Sequence, residues 1–367
     1  MTTTTSDART PIANNGSEKG AKKNAEEHTA SGVTPTLPST TGTTPERVAD
    51  GVWRLALPMK APPGHINSWL LEDGNGWLVI DCGTRGKDTR NAWQAFMQSP
   101  LYRDGITRIF LTHAHPDHIG SAAWLARETG APVLMAEPER QAMLDLAVDA
   151  SQRNAELTTW LTHWNAGEKH IAQCQFFYQH FADAVPVIHS DIQIVSAGET
   201  INVNKKVWQL HEGLGHTPCN ILLYQPEQQW LITGDQVLPD IVTNVSTWWR
   251  QDKNPLGIYL SSLTPLSALA VDLALPAHGN PFSNFRERCE QLQSAHAQRL
   301  AQLTDVIKTG HTTMPDILKK LGGKALYSPL FLLVAGQIYA RIALLLSEGT
   351  ITENAGEDGL RTFTVSN

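Results

Sequence analysis

The stretch FLTHAHPDHIG, residues 110–120, sets His113, His115, Asp117 and His118 within six positions. Imidazole nitrogens and carboxylate oxygens are ligand atoms for zinc, iron and manganese. A lone histidine reads by default as a structural or surface residue. Three of them with an aspartate, edged by Ala, Pro and Gly, point to metal binding. The run ITRIFLTH (106–113) has the length and apolarity of a buried strand. GSAAWLARETG (120–130) reads as a helix with a glycine stop. The motif thus lies where a strand ends and a helix begins. If residues 113–117 stay extended, side chains two apart share a face. His113, His115 and Asp117 would then align, with His118 turned elsewhere. Pro116 fixes its own φ and favours extended backbone at His115. One pair of imidazoles could hold one metal, and Asp117 with His118 a second.

Four side chains do not close two metal shells. Three other places carry a ligand type where an apolar strand ends: His216 in GLGHTPCN, Asp235 in LITGDQVL and His278 in ALPAHGNP. Strand ends are expected to converge on one rim of a sheet.

In this combination and order (HxHxDH, GHTP, GD, PAHG) the sequence resembles the metallo-β-lactamase fold superfamily over about residues 47–285. The resemblance implies an α+β fold, an αβ/βα four-layer sandwich with a two-metal site between the sheet edges. It implies one metal on His113, His115 and His216, a second on Asp117, His118 and His278, and Asp235 bridging them. Asp81, in VIDCG, matches the family's aspartate that orients a ligand from behind; read alone, it is a turn carboxylate. The implied cofactors are two divalent metal ions, zinc first, with iron and manganese compatible. Such a pair lowers the pKa of a bridging water, so hydroxide forms near neutral pH and attacks a carbonyl or phosphorus centre. Asp117, steering the nucleophile's proton, and Asp235 are the expected catalytic carboxylates.

Asp235 also narrows the branch. A bridging aspartate is typical of glyoxalase II-like, lactonase-like and RNase Z-like relatives and is missing from true β-lactamases. His115 stands where diiron oxygen-reducing relatives carry glutamate. The formal charge of −7 and the lack of a dense basic stripe argue against nucleic acid as a partner. The stretch GDQVLPDIVTNVS, the PAHG histidine and the C-terminal helices resemble the group related to β-lactamase-like protein 2, although the insertion described below departs from the glyoxalase II layout. The expected function is a binuclear metal-dependent hydrolase that cleaves an acyl ester-type bond, a thioester or lactone, in a small molecule. A phosphodiesterase acting on a nucleotide or RNA is the alternative, and β-lactam hydrolysis a lesser one. A non-catalytic binding protein is the least favoured, because all seven ligand positions are filled. One departure from the family is Cys219 in GHTPC, where glycine is common: either a small residue tolerated in the turn or a thiol near the metals.

The elements that must position these groups divide the 367 residues into three parts. Residues 1–45, polar and poor in bulky apolar residues, read as a disordered tail. Residues 46–285 read as the catalytic domain. Strands are expected at 51–59, 66–73, 77–83, 106–113, 132–137, 192–198, 207–212, 220–226, 229–235 and 273–279, and helices near 88–98, 120–130 and 256–270. A helical insertion occupies about 138–183. Residues 286–367 read as a small helical, winged-helix-like module. Its helices are expected at 285–310, 311–323 and 337–353 with a last strand near 362–367, and it suits packing or dimerisation better than DNA binding. Trp160, Trp164, Phe176, Phe177 and Tyr178 of the insertion, with Trp248 and Trp249, either line an acyl pocket or serve helix packing and a homodimer face. His65 and Asn67 in PPGHIN are expected on a hairpin loop at the cleft. The four scattered cysteines read as free thiols. No apolar run reaches ~18 residues and no apolar leader is visible, so a cytoplasmic protein without a membrane partner is expected.

Overall fold

The computed structural model describes residues 44–147, 149–188, 191–247, 254–323, 331–356 and 360–366. The tail reading, except for Thr44 and Pro45, and Trp248 and Trp249 lie outside the described residues. One sheet has the order β1 (Glu46–Ala49), β2 (Val52–Pro58), β3 (His65–Asp73), β4 (Gly76–Ile80), β5 (Ile106–Phe110), β6 (Val133–Ala136), β7 (Ile192–Val195). It is antiparallel from β1 to β4 and parallel from β4 to β7. The second sheet contains β8 (Thr200–Val203), β9 (Lys206–Gly213), β10 (Asn220–Gln225), β11 (Trp230–Gly234) and β12 (Leu273–Pro276), in the order β12-β11-β10-β9-β8. Its pairs are antiparallel except β11 with β12.

Side chains alternate along a strand, so each sheet has two apolar faces to cover. Leu78 and Ile80 of β4 meet Ile221 and Leu223 of β10 in the core between the sheets. Val79, one residue out of phase, faces the opposite way. There it packs with α1 (Lys87–Met97) and α3 (Ala122–Thr129), through residues such as Trp93, Phe96 and Leu125. On the far face of the second sheet, Leu222 and Tyr224 pack against α7 (Pro255–Ser267), α8 (Phe285–Lys308) and α10 (Phe331–Ser347). The layers therefore run helix, sheet, sheet, helix, as expected. Among the described residues no helix is long and apolar enough to cross a membrane.

The insertion forms α4 (Glu137–Leu146), α5 (Ala150–His163) and α6 (Glu168–Ala184). Its aromatics serve packing. Trp160 and Trp164 lie 4.6 and 5.1 Å from the Tyr339 ring of α10. Trp164 also stacks on Phe363 at 6.0 Å. Phe177 and Tyr178 join the same cluster with α8, α9 (Met314–Gly322) and α10, whereas Phe176 is exposed.

Some boundaries differ from the sequence reading. The helix expected over 337–353 begins at Phe331 and ends at Ser347. Gly349 turns the chain at φ 69°, and β13 (Ile351–Ala355) then pairs antiparallel with β14 (Arg361–Val365). A left-handed glycine stops a helix, and β-branched Ile351 and Thr352 suit a strand. Strands β1 and β8 are each four residues long, too short to give a clear periodic signal. Phe363 is fully buried between β13, α10 and the insertion. Phe363→Ala should therefore lower stability by about 3–5 kcal/mol, read by urea denaturation. A loss below ~1 kcal/mol would mean that this hairpin does not contribute to the shared core.

Candidate metal centre

The ligand-type residues come from the facing edges of both sheets rather than from one rim. His113, His115, Asp117 and His118 follow β5 in the first sheet. His216 lies between β9 and β10, Asp235 follows β11, and His278 follows β12 in the second. Backbone hydrogen bonds tie the two edges together at this point. Ile221 N donates to Thr112 O at 3.0 Å, and Asn67 N donates to Ala277 O at 2.7 Å.

The extended run ends at His115, two residues earlier than the spacing suggests. His115 is extended (φ −74°, ψ 150°), and Pro116 opens the short helix α2 (Pro116–Ile119). Proline suits the first helical position because its missing N–H is not needed there. Asp117 therefore turns away from His113 and His115 and joins His118. The ligand atoms sort into two groups: His113, His115, His216 and Asp235 in one, and Asp117, His118 and His278 in the other. Within each group the atoms lie within 4.8 Å of one another.

Asp235 faces both groups. Its Oδ2 is 3.5 Å from His216 Nε2, and its Oδ1 is 3.5 Å from His118 Nε2 and 3.6 Å from His278 Nε2. His278 Nε2 is also 3.1 Å from Asp117 Oδ2, and His113 Nε2 is 3.1 Å from His115 Nδ1. Two ligands each ~2.1 Å from a tetrahedral zinc lie roughly 3.4 Å apart. The spacing thus fits shared cations. So does a second observation: His118 Nε2, His216 Nε2 and Asp235 Oδ1 are buried without a hydrogen-bond partner. Buried acceptors left without a donor are costly.

Hydrogen bonds behind His113, His118, His216 and His278 leave the inward nitrogen of each free to coordinate. Asp81 Oδ2 accepts from His118 Nδ1 at 2.7 Å and from the Thr112 hydroxyl at 2.8 Å. That hydroxyl has spent its only proton, so it accepts from His113 Nδ1 at 3.0 Å. Asp81 thereby fixes the tautomer of two rings. Its own backbone is left-handed, φ 61°, which aspartate tolerates better than most residues. His216 Nδ1 donates to Asn244 O at 2.6 Å, and His278 Nδ1 donates to His65 O at 2.9 Å. His65 and Asn67 are buried residues of β3 rather than loop residues at the cleft. Asn67 Nδ2 donates to Pro276 O and Gly279 O, so both residues support the His278 turn. Before Asp235, Gly234 is left-handed, and a Cβ there would collide with Asn220 Oδ1.

Glu139, which spacing alone does not reveal, braces the centre from behind. Its two oxygens accept from Ala114 N at 2.8 Å and from Cys219 N at 2.7 Å, joining the loop of His113 and His115 to the loop of His216. Only its place at the start of α4, directly after β6, could have hinted at this. Phe181 of α6 sets its ring against His115 at 5.7 Å, so the insertion borders the site through a residue other than those singled out from sequence.

Electrostatics leaves most of the set ready for a cation. Burial, helped by neighbouring imidazoles, pushes His113 well below the ordinary histidine range and His115 down to about 3, and burial also lowers His216. Burial opposes charge on Asp117 and Asp235, but the surrounding histidines outweigh it and hold both carboxylates ionised. Burial likewise opposes charge on His118 and His278. Asp81, Asp235 and Asp117 overcome it at His118, and Asp235 with Asp117 lift His278 to about 8. A metal entering there displaces protons. Cys219 is buried, and desolvation pushes its thiol up to about 12, so it serves as a small turn residue.

Asp81→Asn should weaken metal binding about 10–100-fold, measured by competition with a chromogenic chelator; unchanged affinity would exclude the proposed support. Cys219 should resist iodoacetamide at pH 8 in the folded protein, and prompt alkylation seen by mass spectrometry would contradict its burial.

A family model described as the metallo-beta-lactamase superfamily matches residues 61–278. A UPF0173 metal-dependent hydrolase from Agrobacterium fabrum is 34% identical over 105 residues, 27% of this chain and 32% of the relative. A hydroxyacylglutathione hydrolase from Pseudomonas syringae is 30% identical over 164 residues, 42% of this chain and 59% of the relative. The chain thus spans less than two thirds of the length of these curated relatives. A solved beta-lactamase domain protein from Burkholderia ambifaria superposes with a TM-score of 0.78 at 28% identity, over 90% of this chain and 96% of its own. The family match covers more than half of the sequence and includes every ligand-type residue of the centre, and the chain belongs to the metallo-beta-lactamase superfamily.

Proposed function

We propose that the protein is a binuclear metal-dependent hydrolase, zinc being the first candidate metal, that cleaves a thioester or lactone in a small molecule. The observation that carries this reading is the Asp235 carboxylate, with one oxygen toward each ligand group. His113, His115 and His216 would hold one divalent ion, Asp117, His118 and His278 the other, and Asp235 both. When bound, such a pair supplies an acidified water and polarises a carbonyl oxygen.

The remaining work falls to the chain. Asp117 is ionised and more exposed than the histidines of its group, which suits it to take the proton released as the nucleophile attacks. Asp81, acting directly and through Thr112, keeps two rings in the tautomer that presents nitrogen inward. Phe181 offers an apolar wall to an acyl chain beside His115. The relative named a hydroxyacylglutathione hydrolase supports an acyl substrate. The division into a catalytic part, 46–285, and a helical part, 286–367, belongs to the same reading.

The metal-replete protein should contain two metals per chain by elemental analysis and should turn over members of a thioester and lactone panel. Asp235→Ala should lose at least one metal and more than ~100-fold of the hydrolysis, since replacing even a supporting partner costs 10–100-fold. No turnover across the panel would sink the acyl assignment. Cleavage of an aryl phosphodiester in its place would move the substrate class to phosphodiesters.

A further inference from the structure

Behind the loop that follows Asp235, helices α8 and α10 bring three basic side chains together. His296 and Arg299 sit one turn apart on α8, and Arg341 lies on α10. His296 is only 3% exposed, and neither ring nitrogen has a hydrogen-bond partner. Its ring stands edge-on to Tyr259 at 5.5 Å. Burial, with both guanidiniums close enough to repel its proton, lowers His296 to about 4. Arg299 and Arg341 are half-buried and also repel each other. Arg341 donates to Gln337 Oε1 at 3.0 Å, a neutral partner, and Arg299 has no hydrogen bond or ion pair among the described residues. Desolvation lowers both guanidiniums, Arg341 to about 10.

Partly desolvated charges are ordinarily paired, because an uncompensated one is costly. Two guanidiniums and an imidazole offer several donors with the planar geometry that oxyanions accept. The cluster also adjoins the metal centre through a short chain of contacts. Gln337 Nε2 donates to Asn244 Oδ1 at 2.8 Å, and Asn244 O holds His216. Thr247 N donates to Gly336 O at 3.2 Å, fixing the same loop to α10.

We propose that His296, Arg299 and Arg341 form a binding site for a carboxylate or phosphate group, on the far side of Asn244 from the metal centre. The anion pairs with both arginines, and His296 donates from its buried ring. The group belongs either to a free anion or to the charged end of the substrate.

The test is residue-resolved. The metal-loaded full chain is treated with phenylglyoxal with and without inorganic phosphate, and modified arginines are mapped by peptide mass spectrometry. Phosphate at about ten times its Kd should slow modification of Arg299 and Arg341 about tenfold. Exposed Arg286 on the same helix should be unaffected. Calorimetric phosphate binding in the wild type should lose one site in both Arg299→Gln and Arg341→Gln, but not in Arg286→Gln. Absence of saturable protection, or equal protection at Arg286, overturns the proposal, as does full phosphate stoichiometry in both variants. These measurements need no turnover, so they stand or fall separately from the hydrolase reading. For the source of the anion, matched esters with and without a remote carboxylate are compared. A KM advantage for the charged ester that Arg299→Gln removes assigns the anion to the substrate, and equal KM values assign it to a free anion.

Discussion

The structure depends on one constraint: ligand-type side chains converge at a buried point where His118 Nε2, His216 Nε2 and Asp235 Oδ1 have no hydrogen-bond partner among the described residues. Five imidazoles and two carboxylates meet at the facing sheet edges, with Asp235 turning one oxygen toward each group. In a buried site such lone pairs repel unless a cation stands among them. The nitrogen and oxygen separations are those of ligands sharing an ion. The same constraint explains why the rings are fixed from behind. A free imidazole would rotate to find a donor, and in four of the five rings a partner on the outer nitrogen removes the option.

Those partners come from distant parts of the chain. Asp81 follows β4, His65 opens β3 and Asn244 lies beyond Asp235, while Glu139, in the first turn of α4, holds the backbone of two ligand loops. The centre can therefore form only when the two sheets have docked. The staples Thr112–Ile221 and Asn67–Ala277 lie at the same edge as the ligands, so docking and ligand placement are one event. An ion that binds only the assembled site stabilises the sandwich by mass action. Structural and functional residues cannot be cleanly separated here. The Asn67 amide donates to backbone on either side of His278, and without its two hydrogen bonds the turn that presents His278 loses its seat.

Much of this was legible in the sequence because the chemistry sits at strand ends. Strands β3, β4, β10 and β11 are buried on both faces, so they read as short apolar runs, and the polar residue that breaks each run stands out. What escaped the sequence depends on three-dimensional direction. The grouping of Asp117 with His118 is legible in the motif, but its cause is not: Pro116 begins a helical turn that takes Asp117 off the face shared by His113 and His115. Glu139 resembles any acidic residue in a first helical turn until two backbone N–H groups from separate loops arrive at it. β8 and β13 are only four and five residues long, too short for their β-branched residues to give a periodic signal, and pairing with β9 and β14 defines them as strands.

The aromatic residues of the insertion show the same limit in a form that bears on substrate. Composition could not decide between a pocket and a packed helix face. Trp160, Trp164 and Phe177 lie on the side of α5 and α6 that meets α10 and β14, and they serve packing. Phe181 lies farther along α6 and reaches His115. One helix thus anchors the C-terminal elements through one part of its surface and borders the metal centre through another. α10 repeats this arrangement from the opposite side, packing against the insertion through Tyr339 while Gln337 holds Asn244 behind His216. The apolar contacts between insertion and C-terminal helices therefore set the positions of two side chains at or behind the centre. On the hydrolase reading proposed above, selectivity follows from how those helices pack as much as from the ligand set, which by its nature specifies the metal chemistry and not the group it acts on.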